Sequence, residues 1–201
     1  KKSVELCGAV AVPLCIEPGQ ENAAFHRLKD LVSPRTKMIC LCNPLNPTGK
    51  VFTRDELEEL AEFAMVHRLK ILSDEIWSDI EFQPHRHVSI ASLGEEIAQN
   101  VITITGFSKS YGLAGLRIGL LHTENRKLFS KIYKHSLHDT TINGAHPLSQ
   151  IAATTAIMEC DYWLEGFKNH LTKMRDLMVS ELNSIEGIYV TAPEGCYVAF
   201  A

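Results

Sequence analysis

Residues 37–75 read KMICLCNPLNPTGKVFTRDELEELAEFAMVHRLKILSDE, two apolar runs separated by an amphipathic segment. The first run, KMICLC, is typical of a buried strand in a parallel sheet, and KILSD predicts the next strand. The segment between them predicts a helix that begins after Thr53, because Thr53 and Glu56 have the spacing of a capping box. Its apolar face is formed by Leu57, Leu60, Ala61 and Ala64. A strand, a helix and a strand in this order predict an α/β fold.

The alternation of strands and helices continues along the chain. A helix is predicted at residues 22–32, and further strands at NVITITG (100–106) and LRIGLLH (116–122). The pattern then changes to three helices, at 124–137, 146–160 and 163–185, and ends in IYVTAPEGCYVAF (188–200), which predicts two strands around a Pro-Glu-Gly turn. We therefore expect a doubly wound α/β domain with a mostly parallel sheet over residues 1–172, followed by the start of a smaller α+β domain over residues 173–201.

Composition excludes several classes of function. Hydrophobic residues make up 45% of the 201 residues, and the formal net charge of -4 includes no long basic or acidic run, which argues against nucleic-acid or membrane-surface binding. No apolar stretch approaches the length of a transmembrane helix, and the start has no secretory signal, so we expect a cytoplasmic protein. The chain opens without Met and closes inside a predicted strand, which predicts a fragment of a longer protein.

Cysteine and histidine do not form a metal-binding pattern. The six cysteines lie in apolar runs and predict reduced, buried thiols. Cys40 and Cys42 have poor spacing for zinc, and no second pair completes a site. His85 and His87 have no acidic or cysteine partner nearby in sequence, so a surface or interface loop is favoured over a metal site.

Polar side chains follow three of the predicted strands. Asn46 lies in NPLNPTG after the first, Asp74 ends the second, and Lys109 lies in the loop after the third. Each has an ordinary alternative: a turn residue, a helix cap and a solvated lysine. Ligands of open parallel sheets bind outside the carboxyl ends of the strands, so the coincidence of all three on one edge favours a site.

These residue types suit the chemistry of pyridoxal phosphate. A lysine amine can form a Schiff base with a carbonyl cofactor, and a carboxylate can keep a pyridinium nitrogen protonated. Arg117, eight residues after Lys109, can clamp a phosphate. Ser108 and Ser110 flank the lysine as further phosphate donors.

Three motifs in order, NPLNPTG, SDEIWSD and GFSKSYGLAGLRIG, resemble the class I and II aminotransferase group of fold-type-I pyridoxal phosphate enzymes. The resemblance covers essentially the whole chain, from partway through the large domain to early in the small C-terminal domain. It implies an α/β/α large domain with a mostly parallel sheet, pyridoxal 5′-phosphate as cofactor, and a homodimer with sites at its interface.

The resemblance also implies roles for the matching residues. Lys109 would form the Schiff base and shuttle the proton, and Asp74 would pair with the pyridine nitrogen. Asn46 would donate to the phenolic oxygen of the cofactor, across an Asn46–Pro47 peptide that is frequently cis in such enzymes. Arg117 would bind the phosphate.

Two positions depart from the pattern of the family. Trp77 stands where a tyrosine usually contacts the phenolic oxygen, and its indole N–H can donate but brings no hydroxyl. Gly106 stands where a phosphate-binding serine is frequent, so Ser108 becomes the expected hydroxyl. The glycine-rich helix start, the stacking aromatic and the carboxylate-binding arginine of the family lie outside this sequence.

Three functions are compatible with these residues. The main hypothesis is a pyridoxal-phosphate-dependent aminotransferase that acts on an α-amino acid and a 2-oxo acid through a Schiff base on Lys109. The second is a carbon–sulfur β-lyase of the cystathionine β-lyase type, which SDEIWSD and the following HRHVSIASLGEEIAQN also resemble. The third is a non-catalytic, cofactor-binding regulatory domain, against which the retained Lys109, Asp74 and Arg117 argue.

The two Asn-Pro pairs are assigned different tasks. Asn43–Pro44 is interpreted as the end of the strand and a turn. Asn46–Pro47 is assigned to the cofactor, with Thr48 and Gly49 turning the chain toward the Thr53 cap.

Overall fold

The structure, a computed structural model, describes residues 2–16, 25–138, 140 and 144–200. The chain divides into two compact units, Lys1–Lys37 and Met38–Ala201. The described residues of the first unit form two short helices, α1 (Lys2–Leu6) and α2 (Leu28–Leu31), with a 3-10 turn at Phe25–Arg27 before α2. The helix predicted at residues 22–32 is therefore shorter than expected, and residues 22–24 lie outside the described residues.

The strand–helix–strand prediction is confirmed at the start of the second unit. Strand β1 (Met38–Cys42), helix α3 (Arg54–Val66) and strand β2 (Lys70–Asp74) follow in order, and β1 and β2 are parallel. The Thr53 hydroxyl accepts from the Glu56 N–H at 3.3 Å, and the Glu56 carboxylate accepts from the Thr53 N–H at 2.7 Å. This capping box fixes where α3 begins, and its four predicted apolar residues are buried.

The mostly parallel sheet is also confirmed. A 3-10 turn (Ile90–Leu93) and helix α4 (Glu95–Ala98) lead into β3 (Val101–Gly106), and a 3-10 turn (Ala114–Leu116) leads into β4 (Gly119–His122). The strand order is β1-β2-β3-β4, with β3 parallel to β2 and β4 antiparallel to β3. The carboxyl ends of the first three strands therefore share one edge of the sheet.

Three helices follow the sheet, as predicted: α5 (Arg126–Ser136), α6 (Pro147–Glu159) and α7 (Asp161–Asn183). Asn125 caps α5 through a 2.9 Å bond from the Leu128 N–H, and Pro147 occupies the first turn of α6. None of the described helices is both long and apolar enough to cross a membrane.

The prediction of two strands within residues 188–200 is wrong. The main chain there bonds to loops instead of to a strand: Gly195 N–H donates to Gly49 O at 2.7 Å, and Cys196 N–H donates to Ile80 O at 2.9 Å. Gly49 has a φ of +78°, and a Cβ on it would lie 2.5 Å from the Gly195 oxygen, so this close approach requires glycine on both counts. An isolated bridge between Glu81 and Gly195 is the sole β-type pairing of the segment in the part of the chain that the structure describes.

The expectation of buried thiols is met by Cys196 alone. All six cysteines are free; Cys7, Cys15 and Cys40 are exposed, and Cys42 and Cys160 are partly exposed. Cys40 and Met38 lie on the same face of β1 and are both exposed, whereas Leu41 on the opposite face is buried. For the same reason, the expectation that β1 is fully buried is wrong.

Candidate functional site

The register of the sheet brings the ends of three strands level with one another. Cys42, the last residue of β1, is paired with Asp74, the last residue of β2, and Asp74 is paired with Ile104 of β3. Asn46 lies four residues beyond the end of β1, and Lys109 lies three residues beyond the end of β3. The topology thus places Asn46, Asp74 and Lys109 at one edge of the sheet.

Lys109 is half-buried beside an aromatic ring. Its Nζ lies 4.8 Å from the centroid of the Trp77 indole. The next residue, Ser110, is held on two sides: its hydroxyl donates to Asp79 Oδ2 at 2.5 Å, and its carbonyl accepts from Trp163 Nε1 at 3.3 Å. These bonds fix the main chain next to Lys109, so the loop after β3 presents the amine from an anchored position.

Asp74 is oriented by its own strand end. Its Oδ1 accepts from the Ile76 N–H at 3.2 Å, while its carbonyl accepts from the Asn43 N–H at 3.0 Å. The side chain is half-buried, so one carboxylate oxygen is engaged locally and Oδ2 has no hydrogen bond within the described part of the chain.

Asn43 and Asn46 occupy different environments. Asn43 is buried; its Oδ1 accepts from the Phe52 N–H at 3.1 Å and its Nδ2 donates to Val88 O at 3.3 Å. The Asn46 side chain is exposed and has no hydrogen bond among the described residues. Both Asn43–Pro44 and Asn46–Pro47 are cis. The buried pair is thus part of the framework, and the Asn46 amide remains available to a ligand.

Two thiols, Cys42 and Cys196, lie close to these groups, and no sequence pattern connects them with the site. Burial raises the pKa of Cys42, a hydrogen bond from the Asn46 backbone lowers it, and the Asp74 charge raises it. Burial raises the pKa of Cys196 to about 12; the nearby Cys42 also raises it, while the Lys109 ammonium lowers it. The electrostatic neighbours of the two thiols therefore include Asn46, Asp74 and Lys109.

The side chains of Arg117 and Ser108 form no described hydrogen bonds with the other predicted site residues. Both lie in the loop between β3 and β4, which is closed where Gly106 pairs with Gly119. Arg117 is exposed in a left-handed conformation, φ +50°, and its guanidinium makes no hydrogen bond or ion pair within the described residues. Ser108 is half-buried, and its hydroxyl likewise has no described partner. The structure places these two residues in the loop of Lys109, and neither side chain forms a hydrogen bond with Lys109 in the part of the chain that the structure describes.

Trp77 joins the edge of the sheet to the end of the chain. It is buried with Ile80, Phe82 and Cys196, and the ring of Tyr197 meets it edge-on with centroids 4.5 Å apart. The phenol of Tyr197 has a raised pKa because it is partly buried and lies near Cys196. Trp77 therefore presents an aromatic surface to Lys109 that is fixed from behind by packing.

The interpretation of His85 and His87 as a surface loop is wrong for His87. The His87 side chain is only 10% exposed, and its Nε2 lies 3.7 Å from Glu75 Oε2, an acidic neighbour that is distant in sequence. His87 and Glu75, together with Asp79, Glu81 and Lys168, line an open polar cavity of about 350 Å³. Among the described residues, no group of three or more His, Cys, Asp or Glu side chains could hold a metal ion.

The whole chain matches one known protein family. The family described as "Aminotransferase class I and II" matches residues 1–201. The chain is 32% identical over 193 residues to a "Probable aspartate/prephenate aminotransferase" of Aquifex aeolicus, which covers 95% of this chain and 48% of that protein. It is 31% identical over 199 residues to an "Aspartate aminotransferase" of Bacillus sp. strain YM-2, covering 98% of this chain and 50% of that protein.

A solved structure has the same fold. The structure titled as a PLP-bound putative aminotransferase from Clostridium difficile 630 superposes with a TM-score of 0.85 at 27% identity, covering 98% of this chain and 52% of that one. This likeness confirms the predicted α/β architecture of a fold-type-I large domain. The chain spans about half the length of the curated relatives it matches.

Proposed function

Because the chain belongs to the class I and II aminotransferase family, we propose that its full-length protein is a pyridoxal-phosphate-dependent aminotransferase. It transfers an amino group between an α-amino acid and a 2-oxo acid. The observation that carries this proposal is the convergence of Asn46, Asp74 and Lys109 at one sheet edge, with the Lys109 amine over the Trp77 ring.

The donor set at this edge fits the cofactor. Pyridoxal phosphate presents an aldehyde, a pyridine nitrogen, a phenolic oxygen and a phosphate, and the site offers an amine, a carboxylate, an amide and a guanidinium. Asp74 has one carboxylate oxygen without a described partner, and the Asn46 amide is unbonded and exposed. Neither group has to break a described side-chain bond on these atoms to meet a ligand.

Each residue has a distinct proposed task. Lys109 would hold the cofactor through its aldehyde carbon with loss of water, and, once the substrate amine has displaced it, its free Nζ would accept and return the α-proton of the substrate. Asp74 holds the proton of the pyridine nitrogen, since a carboxylate stabilises a neighbouring cationic N–H. Asn46 donates to the phenolic oxygen, and the Trp77 indole lies against Lys109.

The phosphate is assigned to Arg117 and Ser108. Arg117 offers a planar fork of N–H donors with no internal ion pair in the described chain, and Ser108 offers a hydroxyl from the same loop. Bound pyridoxal phosphate supplies an electron sink for the charge left at the α-carbon of an amino acid. The protein supplies position, protons and charge.

The chain is divided in this proposal at residue 172, with residues 1–172 in the large, cofactor-binding domain and residues 173–201 in the small domain. Helix α7 runs through the boundary without a break and joins the two parts. The functional unit is a cytoplasmic homodimer, in line with the resemblance to this family.

One experiment tests the activity directly. The full-length protein, incubated with pyridoxal phosphate, should show a visible absorbance band, and adding an α-amino acid without a 2-oxo acid should convert the band once per site. Lys109→Ala should abolish both. Release of a thiol and pyruvate from cysteine or cystathionine, without this half-reaction, would instead establish β-elimination. An absent band with an unaffected Lys109→Ala variant would refute both enzymes.

A further inference from the structure

The loop of residues 85–89 lies across the ends of β1 and β2. Its central side chain, His87, is nine-tenths buried against Glu75, which is itself buried. The His87 Nε2 is 3.7 Å from Glu75 Oε2 and has no hydrogen-bond partner among the described residues. Buried polar atoms are normally satisfied, so this arrangement calls for a reason beyond packing.

Glu75 is fixed at the end of β2 by three groups. Its Oε1 accepts from the hydroxyls of Ser73, at 2.8 Å, and Ser89, at 2.9 Å. Its N–H donates to Ile104 O at 2.8 Å, which continues the β2–β3 pairing one residue past Asp74. Because Glu75 follows Asp74 directly, whatever holds Glu75 also sets the direction of the Asp74 side chain.

The same loop also holds the end of β1. Val88 O accepts from Asn43 Nδ2 at 3.3 Å, and a hydrogen bond to the Asn43 backbone is one of the interactions that raise the pKa of His87. The Asn43 N–H in turn donates to Asp74 O at 3.0 Å. Asn43 begins the loop that carries Asn46, and Glu75 directly follows Asp74. His87 therefore lies beside the main-chain segments that carry Asn46 and Asp74, the two predicted ring-binding residues.

We propose that His87 is a positioning residue that spans Asn43 and Glu75, sets the spacing between the ends of β1 and β2, and thereby places Asn46 and Asp74 around the cofactor. The inference rests on the proposed function and adds a residue that touches neither substrate nor cofactor. Ser73 and Ser89 support it by fixing the carboxylate that His87 faces.

The charged groups around His87 set its protonation state and therefore the kind of contact that it makes with Glu75. Burial lowers the pKa of His87, and the carboxylates of Glu75, Glu81 and Asp79 raise it in part, as does the hydrogen bond to the Asn43 backbone. Arg86 and Lys168 reach Glu81, at 2.9 Å and 3.3 Å, and offset its charge. The net pKa is lowered, so the ring is neutral at pH 7 and acts through hydrogen bonding and shape.

Because the His87 ring is neutral, asparagine, which is also neutral and carries an N–H donor, is a conservative substitution. In His87→Asn the amide nitrogen lies near the ring position closest to the backbone, so it can keep a bond to Asn43 while losing the contact with Glu75. His85→Ala is the matched control: the same residue type in the same loop, 38% exposed, with its Nδ1 facing Glu194 at 3.7 Å instead of a strand end.

The test uses full-length protein and two readouts other than activity: the dissociation constant of pyridoxal phosphate, and the pH midpoint of the visible band of the bound cofactor. His87→Ala should raise the dissociation constant about tenfold, the loss expected for one buried hydrogen bond, and should shift the midpoint. His87→Asn should show a smaller change in both, and His85→Ala should match the wild type. If His87→Ala does not fold, the dissociation constant and the pH midpoint of His87→Asn are compared with those of His85→Ala instead.

Two results would overturn the inference in different ways. If the wild type binds cofactor while the His87 variants match His85→Ala, or lose only thermal stability, His87 merely packs. If the wild-type protein itself binds no pyridoxal phosphate, the proposed function fails and the inference falls with it.

Discussion

The Nζ of Lys109 lies 4.8 Å from the centroid of the Trp77 indole, over the π face of the ring. Trp77 is 5% exposed and packs against Ile80, Phe82 and Cys196, so the ring is fixed and the flexible lysine is the partner that is oriented. A cation–π contact contributes about 0.5–1 kcal/mol at exposed sites and more when desolvated.

Trp77→Leu should therefore speed the capture of pyridoxal phosphate about fivefold, the effect of roughly 1 kcal/mol, because the π face favours the charged amine and only the uncharged amine attacks the aldehyde. Trp77→Phe keeps a face and should stay closer to the wild type. Stopped-flow absorbance of cofactor-free protein mixed with cofactor measures the rate. Equal rates for the two variants would show that the ring serves packing alone.

Asn43 and Asn46 should respond oppositely to alanine. Asn43→Ala removes the two hydrogen bonds of a buried amide, one from the Phe52 N–H and one to Val88 O, which should cost about 1–3 kcal/mol of unfolding free energy. Asn46→Ala removes an exposed, unbonded amide and should leave stability near the wild type while changing the cofactor spectrum. Urea denaturation and absorbance on the same samples separate the effects, and equal spectral changes would contradict the division.

Cys196 should be unreactive in the folded protein. At pH 8 a thiol with a pKa of about 12 is almost entirely protonated, and the side chain is fully buried, so iodoacetamide should modify it only after unfolding. Peptide mass spectrometry of native and urea-treated samples measures the modification. Rapid alkylation of Cys196 in the native protein would contradict the buried placement of Gly195 and Cys196.

The same pKa predicts a loss of stability at alkaline pH. The unfolded thiol ionises near its ordinary pKa of 9.0, but the folded thiol has a pKa of about 12. The folded state therefore binds more protons between these values, and stability falls as pH rises through that window. Cys196→Ala should remove this contribution, so the slope of melting temperature against pH above 9 should become shallower. An unchanged slope would assign the alkaline loss to other groups.

The capping box of α3 should contribute to stability without affecting the site. Thr53→Ala should lower the unfolding free energy by about 1 kcal/mol, because the Glu56 N–H loses its acceptor. Thr53→Ser keeps the hydroxyl and should lose much less. Denaturant titration gives both values, and the cofactor dissociation constant should be the same in both variants; a tenfold increase would show that α3 also positions the loop of Asn46.

The features that the sequence predicts well depend on local or topological rules. The capping box at Thr53 and Glu56 lies within four residues, so its pattern is visible without the fold. Asp74 and Lys109 could be placed on one edge because parallel strands bring their carboxyl ends together.

The contacts that sequence reasoning missed join distant segments. His87 meets Glu75 across a loop, and Cys196 lies in the electrostatic neighbourhood of Lys109 although 87 positions separate them in the chain. Residues 188–200 have the composition of strands but bond to loops, because backbone partners at Gly49 and Ile80 outweigh the local preference for extended pairing.

The bonds of residues 194–196 to the sheet loops also constrain motion. Gly195 donates to Gly49 O, Cys196 donates to Ile80 O, and the Glu194 carboxylate accepts from the Val51 N–H at 2.8 Å. The loop that carries Asn46 and the segment after α7 therefore move together for as long as these hydrogen bonds persist. A displacement of the chain after α7 that keeps these bonds must also move Gly49, which lies three residues from Asn46.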